Sequence, residues 1–467
     1  MSLSLSLFLI GALGGVARAQ ALPSAWSVPS PGPISSAPWW TSFEDPTLSA
    51  LMEEGLAQNG DLVAFNARVE QSDALARQSL AGVLPSLSVD VSTSTAPLDS
   101  LGFTFGLDLT AQPDAPEVYH SGSGYLKASV PVDLWGKSTQ TWIASRHDAA
   151  GMAGDRDAQL IALATRIGQA WIDLELARER LSLVEEQVAA NEELLNIVQR
   201  RYDEGLITSL DLLQQQRQVA SVRAQLPAAH ANVRIATLQL NTLLGRPSAT
   251  TVPEGGEGLP SLPPTPGLGS PEELLTTRPD LRAANSDELA AAARRKAAMR
   301  AMAPALTLTG QVGYQGIYIS ELNLQDLWGV GVALSVPIFS GGRNLGGAQA
   351  AQATERAAEA TNRQLVLTAT QEVEEALARE ESAALTLDAV RSQERAAKAS
   401  YDESRAQYER GLVDHLTVLS SLSTYQQAQV SALSAERDLL VARIQLHDAL
   451  GGTWTESVLA AQAGGQP

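Results

Sequence analysis

Five histidines and no cysteine are what this sequence offers for metal or nucleophilic chemistry. The histidines stand at positions 120, 147, 230, 415 and 447, without metal-ligand spacing, and no Ser/His/Asp grouping has recognisable local context. Gly341-Gly342 and Gly451-Gly452 lack the surrounding residues of a phosphate-binding loop. The expectation is therefore no enzyme, no cofactor and no resident metal. What remains is charge placed at a turn: Asp414 and His415 follow Gln407-Tyr408-Glu409-Arg410-Gly411-Leu412-Val413. An aspartate there either caps a helix or projects negative potential. The histidine beside it either modulates that charge near its ordinary pKa or stands in solvent with no such role.

The turn has an echo. Arg201-Tyr202-Asp203-Glu204-Gly205-Leu206-Ile207-Thr208 lies 206 residues earlier, and both stretches interrupt long helical patterns. The same offset carries Pro131 onto Pro337, Gly136 onto Gly342, Leu210 onto Leu416, Leu213 onto Leu419 and Gly245 onto Gly451, which marks a duplicated unit. Each copy reads as a strand pair followed by two long helices. With a Pro/Gly-rich linker only near 251–272, the expectation is one elongated body built twice. Gly205 and Gly411 suit positive-φ turns. Leu206-Ile207 and Leu412-Val413 are apolar surface for a partner to cover, or else pack inside a helical corner.

Composition narrows the class. A formal charge of −19 with scattered basic residues excludes general nucleic-acid binding. Residues 7–19 are apolar or small and end in Ala17-Arg18-Ala19, the form of an export cleavage site, so residues 1–19 read as a signal peptide cut after Ala19. No cysteine follows to carry a lipid or form a disulfide. Beyond the leader no stretch reaches about 18 consecutive apolar residues, which excludes a transmembrane helix but not a barrel strand.

In chain order, residues 20–84 form an extension and a first helical segment that starts at Asp45-Pro46, with a break near Asn59-Gly60, and ends at Leu84-Pro85. Residues 85–136 hold the first strand pair. Leu87, Val89 and Val91 alternate with Ser88, Asp90 and Ser92; Phe103, Phe105, Leu107 and Leu109 continue the period of two, as do Leu126, Ala128, Val130, Val132 and Leu134. The second pair, 304–340, sets Leu306, Leu308, Val312 and Tyr314 against a return strand carrying Val330, Val332, Leu334, Val336 and Ile338 on one face. Either an ordinary half-buried sheet or a water-filled barrel fits this alternation. Residues 137–247 and 341–452 are two antiparallel helix pairs, with 248–303 a connecting segment and helix and 453–467 a tail. At a rise of about 1.5 Å per residue, the helical stretch 138–200 is roughly 95 Å long. Helices of that length need bundle or coiled-coil partners.

At this point the chain resembles the TolC-like family of outer-membrane efflux channels, in particular those of tripartite multidrug and metal efflux systems. The resemblance rests on the order and duplicated spacing of Trp39-Trp40-x-x-Phe43-x-Asp45-Pro46, Pro131-x-Asp133-Leu134-Trp135-Gly136, Arg201-Tyr202-x-x-Gly205-Leu206, Leu244-Gly245-Arg246-Pro247, Arg278-Pro279-Asp280-Leu281-Arg282, Val336-Pro337-Ile338-Phe339 and Tyr408-x-x-Gly411. It implies a mixed α/β membrane protein of the outer membrane, spanning into the periplasm. Each chain of a homotrimer would give four strands to one 12-stranded barrel set in outer-membrane lipid, continuous with a periplasmic α-helical barrel. The implied partners are a periplasmic adaptor and an inner-membrane pump of the resistance-nodulation-division type, alternatively an ABC transporter.

The resemblance also implies roles for the two turns. Tyr408 and Asp414 fall at the periplasmic aperture, which the inner helix pair closes at rest. Tyr202, Gly205, Leu206, Gly411, Leu412 and Val413 form the helical tips where an adaptor docks, and Asp211, on the outer pair, serves local hydrogen bonding. Val413 stands where some members have arginine, and Thr417 and Ser420 where some have an aspartate pair, so the acidic ring is the single one of Asp414. The rival readings are a type I protein-secretion channel and a non-transporting coiled-coil surface protein.

Overall fold

The structure, a computed structural model, describes residues 22–23, 25–30, 32–98, 117–248, 250–253, 255, 258–318 and 322–464. The expected leader with its cut after Ala19, and the run Phe103 to Leu109, lie outside the described residues. The chain divides into two compact units. One draws on residues up to 67, 153–283 and from 362 on; the other joins 68–152 and 284–361. Each unit therefore takes segments from both sequence copies.

The second of these units holds β1 (Ser86–Pro97), β2 (Val118–Val132), β3 (Ala305–Tyr318) and β4 (Leu322–Ser335), which form one antiparallel sheet in the order β1-β2-β3-β4. The register aligns Ser92, Ser123, Gln315 and Gln325 in one row and Val89, Leu126, Val312 and Trp328 in another. Because side chains alternate across a strand, the two rows lie on opposite faces. On the polar face the hydroxyls of Ser92 and Ser123 meet at 2.9 Å, and those of Ser94 and Ser121 at 2.7 Å. The apolar face is not covered: Val89 is 70 % and Trp328 76 % exposed. A half-buried sheet resting on its own core is thus not what forms. On β3, opposite Tyr125 of β2, a Cβ on Gly313 would lie 2.1 Å from the Gly124 carbonyl oxygen, so only glycine fits.

One expectation for the sheet is corrected. The return strand stops at Ser335, leaving Val336 and Ile338 beyond it, because Pro337 has no N–H to donate to a ladder. At the other hairpin's exit, Asp133 accepts from the backbone N–H of Ser138 (3.2 Å) and of Thr139 (2.7 Å), and Gly136 turns at φ 75°. These fix the start of α3.

The helices longer than five residues are α1 (Pro46–Gln58), α2 (Gly60–Leu80), α3 (Lys137–Asp203), α4 (Ser209–Arg223), α5 (Leu226–Leu243), α6 (Pro279–Arg300), α7 (Arg343–Glu409), α8 (His415–Leu450) and α9 (Trp454–Gly464). Both α3 and α7 have 67 residues, as duplication requires. The two return segments differ. The first, expected to run unbroken over 209–244, is interrupted between α4 and α5, where Pro227 removes an N–H and clashes with a preceding turn. The corresponding residue in the second copy is Leu433, and α8 is continuous.

The first unit's core is built on tryptophan. Trp39, Trp40, Phe43, Ile167, Trp171 and Trp454 belong to one buried cluster. Asp45 caps α1 by accepting from Thr47 N–H at 2.8 Å and Leu48 N–H at 3.0 Å, and its other oxygen accepts from the Trp171 indole N–H at 2.8 Å. The break after α1 is also capped, since Asn59 accepts from Asp61 and Leu62 while its amide donates to the Leu243 carbonyl. The segment expected as a C-terminal tail instead forms α9, with Trp454 edge-on to Trp40 at 4.9 Å. A large aromatic there gains more from burial than a free tail gains in entropy.

His447 stacks on Trp39 at 5.8 Å, and burial, reinforced by Arg443, pushes its pKa from 6.5 down to about 4. The neutral ring is favoured by the folded state, so its contribution is complete above about pH 6.5 and is lost as pH falls toward 4, a term of about 3 kcal/mol. His447→Phe should flatten this part of the acid-stability curve; an unchanged acid-unfolding midpoint would contradict the assignment.

Candidate functional site

No cluster of three His, Cys, Asp or Glu suited to a metal occurs among the described residues, and no helix there is long and apolar enough to cross a membrane. The candidate site is the pair of helical turns, both in the first unit. Their backbones are alike. Gly205 and Gly411 take φ 71° and 78°, their N–H groups donate to the Tyr202 and Tyr408 carbonyls at 2.9 Å, and Leu206 and Leu412 donate to Arg201 and Gln407 at 2.9 Å. This is the glycine-terminated ending that satisfies the last carbonyls of a helix.

The helices that follow are capped by the same two residue types in reversed order. In the first copy Thr208 caps α4: its Oγ1 accepts from Asp211 N–H, while Asp211 accepts from Thr208 N–H at 3.0 Å and from its hydroxyl at 2.8 Å. In the second, Asp414 caps α8, accepting from Thr417 N–H at 2.9 Å and from its hydroxyl at 2.5 Å. Those bonds, the side-chain one first, hold the exposed Asp414 carboxyl below its ordinary pKa. Asp211 does serve local hydrogen bonding, as the sequence implied.

The tyrosines part company. Tyr202 is 39 % exposed, whereas Tyr408 is 1 % exposed, in a cluster with Leu194, Val198, Tyr401, Val418 and Leu422. Tyr408, which the resemblance places at the aperture, is enclosed by its own chain's helices. The Arg201 guanidinium lies over its ring, 4.3 Å from the centroid, and donates to the Tyr408 carbonyl oxygen. Burial raises the Tyr408 pKa, against the pull of Arg201. Leu206 and Leu412 are exposed, the latter 69 %, while Ile207 and Val413 pack against the cluster. The two apolar pairs thus each present one residue outward and one inward.

One further tie joins α3 to the second hairpin, and another joins that hairpin's own two helices. Arg405 pairs with Glu193 at 2.5 Å, and the hydroxyls of Ser404 and Ser421 meet at 2.5 Å between α7 and α8. Sequence reasoning assigned Arg201 no role of its own. The signal was available, since position 407 of the second copy is glutamine and so only the first copy can supply this cation. His415, whose counterpart is Ser209, is buried against Tyr408 at a ring separation of 5.9 Å.

A family model described as outer membrane efflux protein matches residues 51–246 and 270–452. Pyoverdine export outer membrane protein OpmQ of Pseudomonas aeruginosa is 29 % identical over 462 residues, 97 % of each chain. Cation efflux system protein CusC of Escherichia coli O157:H7 is 25 % identical over 450 residues, 94 % of each. Among solved structures, the Campylobacter jejuni CmeC outer membrane channel matches with a TM-score of 0.83 at 20 % identity, covering 99 % of this chain and 98 % of that one. The outer-membrane channel OprN matches with a TM-score of 0.82 at 24 % identity, covering 93 % and 97 %.

The caps give a test of the second turn. Asparagine caps a helix about as well as aspartate, so Asp414→Asn should leave proteolytic nicking at 409–414 unchanged. Asp414→Ala should increase it. Equal nicking of the two variants would show that the cap does not hold this turn.

Proposed function

This chain belongs to the outer membrane efflux protein family and is a passive export channel of the outer membrane, not an enzyme; from that premise we propose that three copies close one 12-stranded barrel and export small molecules through a tripartite pump. The carrying observation is the sheet: four strands, an uncovered apolar face, and two outer strands, β1 and β4, with no further neighbour among the described residues. Four strands are too few to enclose a conducting lumen, and a membrane tolerates no open strand edge. Three equivalent sheets joined edge to edge satisfy both demands. The face carrying Ser92, Ser123, Gln315 and Gln325 then lines the water-filled interior, and the Val89 to Trp328 row meets lipid.

A periplasmic adaptor and an inner-membrane pump complete the system. The pump is of the resistance-nodulation-division type, and the cargo is a small organic molecule or a metal ion. Support for this reading over protein secretion comes from relatives whose names specify pyoverdine export and cation efflux. The adaptor covers the exposed Leu206 and Leu412 beside the Gly205 and Gly411 turns, with Tyr202 at the margin and Val413 supporting Leu412 from within.

The second-copy turn forms the periplasmic aperture. Asp414 supplies three carboxylates around the trimer axis, and Tyr408 acts by holding its hairpin to α3 through Arg201. A charge repeated three times at a narrow radius has a large effect on ion entry. In planar bilayers Asp414→Asn should lower cation preference at unchanged fold. Arg201→Ala should raise leak conductance several-fold by releasing Tyr408. Wild-type conductance and selectivity in both variants would remove the aperture assignment. Separately, Leu206→Asp and Leu412→Asp should weaken crosslinking to the adaptor, because docking would bury an unpaired charge; unchanged capture and efflux would move the interface elsewhere.

A further inference from the structure

His415 is the first residue of α8 and is 2 % exposed, yet neither of its ring nitrogens has a hydrogen-bond partner among the described residues. The Tyr408 hydroxyl beside it is likewise buried and unpartnered. Polar groups left so are rare in folded proteins and mark a functional or strained place. The charged and titratable groups around the ring come from every element packed there: Arg201 from α3, Asp211 from α4, Tyr408 from α7, and Asp414 in its own turn. Both carboxylates are committed to capping, Asp211 with Thr208 and Asp414 with Thr417.

A proton on this ring would meet three opposing influences. The ring is desolvated, the Arg201 guanidinium sits on the adjacent tyrosine, and the N-terminal end of α8 carries the positive pole of its dipole. The first-copy counterpart is Ser209, so only one hairpin of each chain carries the group.

We propose that His415 is a proton-operated release for the second-copy hairpin: neutral, it completes the packing that Tyr408 and Arg201 hold, and protonated, it leaves that packing and loosens the turn. The proton passes from hydronium in the solvent to a ring nitrogen, an O–H bond breaking as the N–H bond forms and water being left behind, and no other bond of the chain changes. Its effect on conduction rests on the aperture reading above; its effect on the turn does not. Burial holds the His415 pKa down against the pull of Asp211 and Asp414. A group harder to protonate in the closed arrangement than in the open one shifts the population toward open as pH falls.

The full-length trimer tests this with a nitroxide on Arg410→Cys, a clean site because the chain has no native cysteine. Between about pH 7.5 and about pH 5, label mobility should rise and single-channel conductance should increase about threefold or more. His415→Gln and His415→Phe should abolish the mobility step while keeping the wild-type spectrum at the higher pH. A full step in both variants, or none in the unsubstituted background, overturns the proposal. A mobility step with flat conductance upholds His415 and removes the aperture reading instead. Should neither variant keep an ordered turn, histidine-selective NMR of the native chain decides: a His415 ring titrating at or above its ordinary pKa overturns the proposal, and one held below it upholds it.

Discussion

A sheet with an uncovered apolar face and two outer edges that no other described strand pairs is unsatisfied in water and in lipid alike. In water the face rich in valine and leucine costs hydrophobic free energy. In lipid each unpaired backbone N–H and C=O on β1 or β4 costs several kcal/mol. Only more strands remove the second cost, and the chain supplies no others among its described residues. Closure by further copies of the same chain meets both demands at once, with its alternate, hydroxyl-bearing face inside. The proposed trimer and its lumen both follow from that constraint.

Duplication supplies two hairpins with one backbone design, and several differences between the copies fall at the proposed site. Both turns end on a left-handed glycine and both following helices are capped by a Thr/Asp pair. Yet the caps run in opposite order, putting the exposed capping carboxylate at 414 in one copy and threonine at 208 in the other. Arg201 answers to Gln407, Ser209 to His415, and Pro227 to Leu433. One copy thereby supplies the cation and a broken return helix, the other the buried tyrosine, the buried imidazole and a continuous one. The second hairpin is held to α3 by a small apolar cluster, Leu194 and Val198 against Tyr408, Val418 and Leu422, together with the Arg201 and Arg405 contacts.

Much of this was legible in the residues alone. Period two marked the strands, the 206-residue offset marked the copies, and Asp45-Pro46 and Asn59-Gly60 marked a helix start and a break, each through chemistry that acts within a few residues. What was not legible depends on which surfaces meet. A tyrosine before a turn glycine looks the same whether it points out, as Tyr202 does, or in, as Tyr408 does, because α3 supplies the covering arginine from far away in sequence. The α9 helix was missed for a related reason: Val458 follows Trp454 at helical spacing, but the segment is short, and it is the cluster around Trp40 that makes Trp454 a core residue. Pro227 was a local signal and should have ended α4 on sequence alone.

The closure of the sheet is tested most directly by oxidative crosslinking across its two edges. With no native cysteine in the chain, paired substitutions such as Ser92→Cys on β1 and Gln325→Cys on β4, scanned along the strands for register, give disulfides only between copies if those edges meet. Closure by three copies predicts a ladder that ends at a covalent trimer and goes no further. Crosslinks that form only within a chain, or a ladder that continues beyond three, would contradict it.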